Sequence, residues 1–586
     1  MPSFSQKTLL ATAITGIVFS LLFVGFRFRN NNDDDDSLSM KTMLDDAVVP
    51  ELLKEHTKEF DVPQILKVTE GVYVAVGYAV ANSILLEGPE SVVVVDVTES
   101  VNAARDIRRD FRKITDKPVS AIIYTHNHAD HMNGASSFID DINNPPEIWA
   151  HISTLDEFHR FFTTTPIVTK RAFRQFGVYN PAFVNCGIGP KLRYHRHSKT
   201  GLIYPNKFFK TDREEFEIGG MNLSLMRIPG ETPDQIAVWY PEKRVLLPAD
   251  DIYRAFPNLY AIRGTPTRDV RIWAQSLDKM KSLNAAHLVP SHTKPVSGES
   301  LIYDLLTDYK DAIQFVHDQT VRYMNKGLHP NDIVPLVKLP KRLKNHPFLI
   351  EYYGTVAWSV RGVFNMYLGW FSGNPVDLHP YDPKEKARHM VKLADGVDNL
   401  LRKGQTALEE GDYQFALELS SYVYTLNRND NEAKRLRIRA LKKLGEREIS
   451  ANGRNYYMTS ALETAGLNLK LSEDSRKSAI MNLPLNLLFD IMALKLKAEV
   501  CDGLRKMVTF KFPDVDETIT MTLRNSVVEI SQNPPKTEPD IVVSVSAELW
   551  RRILSHEESP TEAIKLGHME INKPDEFANF ITLFEV

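Results

Sequence analysis

The residues best suited to chemistry lie together just after a short apolar run, Val119 to Tyr124, which is rich in β-branched residues and predicts a buried strand. His126 and His128 follow it two positions apart, so an extended strand end would point both imidazoles the same way. Asp130 and His131 come next, in the predicted turn. Imidazole nitrogen and carboxylate oxygen are ligands that suit one or two zinc-like ions, so these residues predict a metal site. The alternative interpretation is a polar loop in which the histidines occur by coincidence.

Three further ligand-type residues each follow an apolar run downstream. Glu231 comes after Met221 to Ile228, Asp250 comes after Val245 to Leu247, and His292 follows a third such run. This is the pattern expected when several strands of a sheet deliver ligands to one edge.

The motif H-x-H-x-D-H resembles that of the metallo-β-lactamase superfamily, and a Glu in place of the usual third histidine resembles the alkylsulfatases within it. The resemblance implies two zinc ions per chain, bridged by Asp250, with Asp130 and Asp250 as the catalytic carboxylates. The implied ligands are His126, His128 and Glu231 for one ion, and Asp130, His131 and His292 for the other.

Two departures from the bacterial alkylsulfatases concern the pocket. Asp250 stands where those enzymes use Glu, and Thr293-Lys294 replaces a His-Trp pair. The resemblance also implies that Arg263 contacts the sulfate group, with Asn258 as a polar neighbour. The alternative is that Arg263 is a surface residue capping the next helix, which is predicted over Thr265 to Leu283.

Length, amino-acid composition and net charge limit the classes of protein to which this chain can belong. The chain has 586 residues, 43% hydrophobic and 25% charged, with a net charge of −4, which predicts three or four folded domains and no nucleic-acid partner. Its two cysteines, Cys186 and Cys501, lack the spacing of a zinc ribbon or a redox pair.

An uncharged apolar stretch, Thr8 to Phe26, is long enough to span a bilayer and is flanked by Lys7, Arg27 and Arg29. It predicts a single-pass membrane anchor within residues 1–46, followed by an acidic spacer, with the membrane and the orientation left open. A cleaved signal peptide is the alternative.

Residues 47–299 alternate strand and helix signals. Val72 to Val76 and Ser91 to Val97 predict strands, and Ala103 to Ile114 predicts a helix. The pattern indicates an α/β domain, and the resemblance implies an αββα metallo-β-lactamase sandwich. In that fold Asp96 is expected to orient a metal ligand rather than bind the metal.

Residues 300–463 predict an all-α domain. Leu301 to Lys326 has apolar residues at helical spacing, and the runs YYGTV and YLGWFSGNPVDLHP resemble the dimerisation domain of alkylsulfatases. A homodimer is therefore expected. The aromatic residues of this region are predicted to lie in a core or a subunit interface: Tyr352, Trp358, Phe364, Tyr367, Trp370 and Phe371.

Residues 467–586 predict a small α+β domain that resembles the sterol-carrier-like domain at the end of alkylsulfatases. Leu483 to Leu496 predicts a helix, and Met507 to Phe512 and Thr518 to Leu523 alternate like strands. Whether this domain holds an alkyl chain or only packs is left open.

Together these features predict a membrane-anchored di-zinc hydrolase that cleaves an alkyl sulfate, or a similar amphiphilic ester, to alcohol and inorganic sulfate. A water shared by two cations would be partly ionised at neutral pH. The alternatives are a related hydrolase of thioesters, lactones or phosphoesters, and a non-catalytic membrane-anchored dimeric scaffold.

Overall fold

The computed structural model describes residues 42–141, 144–194, 198–469, 477, 480–533 and 535–585. The chain forms two compact units. The larger holds the described residues up to 157 and those from 167 to 469, and the smaller holds residues 158–166 and the described residues from 477 onwards.

A seven-stranded sheet, with its strands in chain order, forms one layer of the larger unit. The strands are antiparallel from β1 to β4 and parallel from β4 to β7. Strand β4 is all valine and fully buried, as expected for a strand covered on both faces. The bounds are β1 Gln64–Thr69, β2 Val72–Val76, β3 Ser83–Glu87, β4 Val92–Val95, β5 Val119–Ile123, β6 Glu147–His151 and β7 Lys207–Phe209.

A six-stranded sheet forms the second layer, in the order β13-β12-β11-β10-β9-β8. Strands β8 and β9 form a hairpin whose two-residue turn, Gly219-Gly220, has positive φ at both positions, which only glycine adopts readily. The bounds are β8 Arg213–Ile218, β9 Met221–Arg227, β10 Ile236–Tyr240, β11 Val245–Leu247, β12 His287–Leu288 and β13 Val296–Ser297.

The main core of the larger unit lies between the two sheets. Buried residues such as Val74 and Ile84 of the first sheet share one apolar cluster with Leu225 and Val238 of the second. A second cluster, centred on the fully buried Trp273, packs helices on the outer face of the second sheet. This layering confirms the predicted αββα metallo-β-lactamase sandwich. The helices of this part are α1 Glu51–His56, α2 Val101–Phe111, α3 Ala129–Met132, α4 Thr154–Gln175 and α5 Val270–Lys281.

The rest of the larger unit is helical, as predicted. Tyr352 and Phe364 are buried, whereas Tyr367 is 44% exposed and Trp370 is 74% exposed, so the aromatic residues divide between core and surface. The bounds are α6 Glu299–Met324, α7 Pro330–Ile333, α8 Lys341–Lys344, α9 Val356–Leu368, α10 Pro383–Leu393, α11 Val397–Glu409, α12 Tyr413–Leu426, α13 Asn431–Arg447 and α14 Ala451–Thr464.

The smaller unit contains a five-stranded sheet in the order β16-β15-β14-β17-β18, which confirms the predicted α+β fold. Phe489, Phe510 and Trp550 form its aromatic core. The strands are β14 Lys506–Phe512, β15 Glu517–Arg524, β16 Val527–Ser531, β17 Ile541–Val545 and β18 Met569–Ile571, and the helices are α15 Leu485–Ala493, α16 Ala547–Leu554, α17 Pro560–Lys565 and α18 Pro574–Ile581.

The predicted membrane anchor is corrected by the structure. Among the described residues, no helix is both long enough and apolar enough to cross a bilayer. The longest, α6, has 26 residues but carries charged side chains along its length, such as Asp308 and Lys310. The segment Thr8 to Phe26 itself lies outside the described residues. The assignment to a membrane is therefore withdrawn.

Candidate metal centre

The first ligand-type residues follow strand β5 at one edge of its sheet. The strand ends at Ile123, earlier than predicted, and His126 lies in the loop beyond it. His128 is extended, with φ −70° and ψ 144°, and is the N-cap of the short helix α3. Asp130 and His131 lie on that helix rather than in a turn.

The predicted ligand residues converge on Asp250. Its Oδ2 atom lies 3.1 Å from His292 Nε2, 3.5 Å from His131 Nε2 and 3.8 Å from His126 Nε2. Two groups of ligand atoms form, each within 4.8 Å of one another: His126, His128 and Asp250 in one group, and Asp130, His131 and His292 in the other. One carboxylate oxygen therefore lies within reach of both groups.

Asp96 orients His131 from outside these groups, as expected. Its fully buried carboxylate accepts a 2.7 Å hydrogen bond from His131 Nδ1. Ser291 Oγ and Thr125 Oγ1 donate to the same oxygen at 2.8 and 3.0 Å, and the Thr125 backbone N–H donates to the other at 3.0 Å. These contacts turn His131 Nε2 towards Asp250.

Two other imidazoles are anchored in the same way. His292 Nδ1 donates a 2.8 Å hydrogen bond to the Val80 carbonyl, and His126 Nδ1 lies 3.0 Å from Thr125 Oγ1. In both residues the opposite nitrogen, Nε2, faces the other ligand atoms. Such anchoring of one ring nitrogen leaves the other available to a metal.

Burial and neighbouring charge set the protonation of these groups. Burial lowers the pKa of His126 and His128 well below the usual range, which leaves both imidazoles neutral and able to ligate. Burial also disfavours charge on His131, but the carboxylates of Asp250, Asp96 and Asp130 together outweigh it and raise the pKa of His131 well above its usual value. Burial would raise the pKa of Asp250, but His292 and His131 lower it well below its usual range.

Glu231 lies beside the first group. Its Oε1 atom is 3.9 Å from His128 Nδ1 and 2.8 Å from Arg268 NH2, and its side chain is 2% exposed. Burial raises the pKa of Glu231, and the Arg268 charge opposes that shift. In the ligand-atom groups Asp250 takes the place that the sequence assigned to Glu231.

The donor set fits divalent cations of the zinc type. His131 Nε2, Asp250 Oδ1 and Glu231 Oε2 are buried atoms with no hydrogen-bond partner among the described residues. Buried polar atoms are normally satisfied, so these atoms are suited to bind a cation. Neutral imidazoles and carboxylates at this spacing are the ligands that zinc takes.

The residues predicted to hold the sulfate group lie at the same edge. Arg263 NH2 is 3.1 Å from His128 Nε2, and Arg263 NH1 is buried without a hydrogen-bond partner in the described chain. Asn258 is fully buried, and neither side-chain amide atom has a hydrogen-bond partner there. Arg263 does not cap the next helix: α5 begins at Val270, and the Asp269 side chain caps it.

Two residues that support the site were not predicted from the sequence. Arg268 is 5% exposed and pairs with Glu231, and Gln175, at the end of α4, accepts a 3.0 Å hydrogen bond from the Arg263 backbone N–H. Both lie far along the chain from the residues they contact. Their spacing in the sequence carried no signal of either contact.

Three residues beside the ligands have left-handed backbone conformations. Asp96 has φ 58°, Ala249 precedes Asp250 with φ 51°, and Thr293 follows His292 with φ 66°. Residues other than glycine adopt this region rarely, and such strain is concentrated at functional sites.

Family models match three consecutive parts of the chain. The metallo-beta-lactamase superfamily model matches residues 76–292, the alkyl sulfatase dimerisation model matches residues 329–466, and the alkyl sulfatase C-terminal model matches residues 473–586. All of the predicted ligands lie within the first range.

Curated relatives and a solved structure agree with this order. A linear primary-alkylsulfatase of Pseudomonas sp. is 35% identical over 508 residues, which cover 83% of this chain and 95% of the relative. An alkyl/aryl-sulfatase of Saccharomyces cerevisiae is 26% identical, over 86% of this chain and 80% of the relative. The structure of the stereoselective inverting sec-alkylsulfatase Pisa1 from Pseudomonas sp. shares the fold, with a TM-score of 0.86 and 24% identity over 99% of this chain and 96% of that one. The chain therefore belongs to the alkylsulfatase family, the sulfuric ester hydrolases of the metallo-β-lactamase superfamily.

Proposed function

We propose that this protein binds two zinc ions per chain and hydrolyses alkyl sulfate esters to an alcohol and inorganic sulfate. The observation that carries the proposal is the position of Asp250 Oδ2, within 3.8 Å of imidazole nitrogens from both ligand groups. The 35% identity to a linear primary-alkylsulfatase supports the same chemistry.

The arrangement of the side chains supports the proposed ligand roles. His126, His128 and the neighbouring Glu231 would hold one ion, and Asp250 lies within reach of both ligand groups. Asp130, His131 and His292 would hold the second ion. When bound, two such ions lower the pKa of a shared water and offset the negative charge of the ester.

Arg263 and Asn258 bind and orient the sulfate group in this proposal. The buried Arg263 NH1 has no hydrogen-bond partner among the described residues, so it is available to a sulfate oxygen, and the fixed fork of a guanidinium suits a tetrahedral oxyanion. The Asn258 amide can donate a further hydrogen bond. In this proposal Asp130, whose side chain is 20% exposed, and Asp250 are the carboxylates that accept a proton from the attacking water.

We further propose that the protein is a homodimer through its helical part. Tyr367 and Trp370 are 44% and 74% exposed, and Val376 is 76% exposed, all within the match to the dimerisation model. Apolar surface concentrated in this way is typical of a protein interface.

The test is metal analysis combined with an ester panel. The purified protein should carry about two zinc equivalents and prefer alkyl sulfates over uncharged thioesters and lactones. His126→Ala should lose metal and activity together, whereas His389→Ala, at an exposed position away from the site, should lose neither. Full activity in a metal-free preparation would contradict the mechanism, and a preference for uncharged esters would contradict the substrate class.

A further inference from the structure

Arg268 is a buried cation in contact with a proposed metal ligand. Its side chain is 2% exposed, and its NH2 atom lies 2.8 Å from Glu231 Oε1, which is equally buried. Its NH1 group donates a hydrogen bond to the backbone carbonyl of Asn258. A buried charge is strongly unfavourable unless it is paired, so the Glu231 carboxylate is the group that makes this position tolerable.

The same contact fixes Glu231. The Oε1 atom lies 2.8 Å from Arg268 NH2 and 3.9 Å from His128 Nδ1. The other oxygen, Oε2, is buried and has no hydrogen-bond partner in the described part of the chain. A free glutamate side chain has several rotamers to choose from, and the guanidinium restricts the carboxylate to the side of His128.

Charge provides a second reason for the pairing. Asp250 and Glu231 are both buried carboxylates of the site, and the negative charge of Asp250 repels that of Glu231. Arg268 offsets the charge of Glu231 through its 2.8 Å contact with Oε1. A neutral ligand at position 231 would need no such partner.

We infer that Arg268 is a positioning residue that holds Glu231 in place for the ion shared with His126 and His128. Through its contact with the Asn258 carbonyl, it also ties this ligand to the loop that carries a proposed sulfate contact. The inference rests on the proposed function for the identity of the site, but it concerns metal affinity rather than turnover.

The experiment measures zinc binding to the full chain by competition with a chromophoric chelator. Arg268→Met should weaken one of the two zinc equivalents by about 10- to 100-fold and leave the other near the parental affinity. Arg268→Lys keeps the charge and should recover most of the lost affinity. Arg454→Met is the matched control, because Arg454 is 1% exposed and, among the described residues, its side chain donates hydrogen bonds only to the backbone carbonyls of Val48 and Gly445. It should affect stability without affecting zinc affinity.

A double-mutant comparison separates positioning from structural damage. In a Glu231→Gln background the guanidinium has no charge to offset, so adding Arg268→Met should not weaken zinc binding further. This comparison can still be made if Arg268→Met alone does not fold, because the double variant with Glu231→Gln leaves neither buried charge without a partner.

Two results would overturn the inference: parental affinity for both zinc equivalents in Arg268→Met, or a further loss of affinity on adding it to Glu231→Gln. Failure of the proposed function has a different signature. If the parent protein binds two zinc ions but does not hydrolyse alkyl sulfates, the substrate assignment fails. The zinc affinities of the Arg268 variants still test the inference in that case.

Discussion

Replacing Asp96 by Asn should weaken zinc binding selectively at the half of the centre that contains His131. The Asp96 carboxylate accepts hydrogen bonds from His131 Nδ1, Ser291 Oγ, and both the hydroxyl and the backbone N–H of Thr125. The amide of Asn has one acceptor oxygen, whereas the carboxylate has two. In one orientation the NH2 group faces the Thr125 backbone N–H, and in the other it faces His131 Nδ1, so a donor loses its acceptor in both. Asn tolerates the left-handed conformation of this position, φ 58°, so the substitution adds little backbone strain.

The size of the effect follows from the hydrogen bonds that the amide can no longer accept. A hydrogen bond to a charged group contributes about 1.5–3 kcal/mol, and loss of a residue that orients a ligand weakens metal binding by about 10- to 100-fold, or roughly 1.4–2.7 kcal/mol. We therefore expect the zinc equivalent held by Asp130, His131 and His292 to weaken by that factor. The other equivalent should change much less.

Chelator competition and thermal unfolding with and without zinc measure this effect. Asp395→Asn is the matched control, since Asp395 is exposed and has nearly the same backbone conformation, φ 60°, away from the site. If Asp96→Asn binds both zinc equivalents with the parental affinity, the hydrogen bond to His131 does not orient the ligand and the reasoning fails.

Three further changes test other parts of the molecule. Arg263→Lys keeps the charge but loses the two-point contact, so turnover of a medium-chain alkyl sulfate should fall about 10- to 1000-fold with zinc content unchanged. Trp370→Ser, at a side chain that is 74% exposed, should shift the protein from dimer to monomer in sedimentation velocity. Burial and the neighbouring Glu351 raise the pKa of Glu448 to about 7. The folded state therefore binds a proton at Glu448 more tightly than the unfolded state does. The stability that this proton contributes is fully present below the ordinary pKa of a glutamate, and it is lost as the pH rises through about 7. Glu448→Gln should therefore be more stable than the parent at pH 8 by about 2–3 kcal/mol, and close to it at pH 4, in chemical denaturation.

Each of these expectations has a contrary result. Parental turnover by Arg263→Lys would remove the sulfate contact but leave the metal centre intact. The control Leu566→Ser, at another exposed position, should remain a dimer. If Trp370→Ser also remains a dimer, the interface lies elsewhere. A constant stability difference between Glu448→Gln and the parent from pH 4 to pH 8 would show that Glu448 does not titrate in this range.

The sequence predicted the strands that deliver the ligands because each strand is an apolar run, or, before Glu231, an alternating apolar stretch. Strands β2 and β11 have the predicted bounds, and β5 differs only in ending at Ile123. Helix α5 begins at Val270 rather than Thr265, since the Asp269 side chain accepts hydrogen bonds from the first turn and starts the helix there. Periodicity locates a helix better than it locates its ends.

Contacts between distant parts of the chain were beyond this kind of prediction. The pairing of Arg268 with Glu231 depends on how the loop after β9 folds back, and no local pattern records that path. The aromatic residues show the same limit. Hydrophobicity alone treats Phe364 and Trp370 alike, yet one is 4% exposed and the other 74%. The difference arises from tertiary packing, because Phe364 lies within α9 and joins a buried cluster, whereas Trp370 lies beyond the end of that helix.

The left-handed residues beside the ligands bear on attempts to move this centre into another protein. Asp96, Ala249 and Thr293 change the chain direction immediately beside residues that form or support the centre. A designer who grafts only the ligands onto the strands of a foreign sheet would leave the side chains on ordinary extended backbone, aimed elsewhere. At these three positions the transferable unit is therefore the ligand or supporting residue together with its left-handed backbone, and a scaffold should be chosen for loops that already reverse in this way.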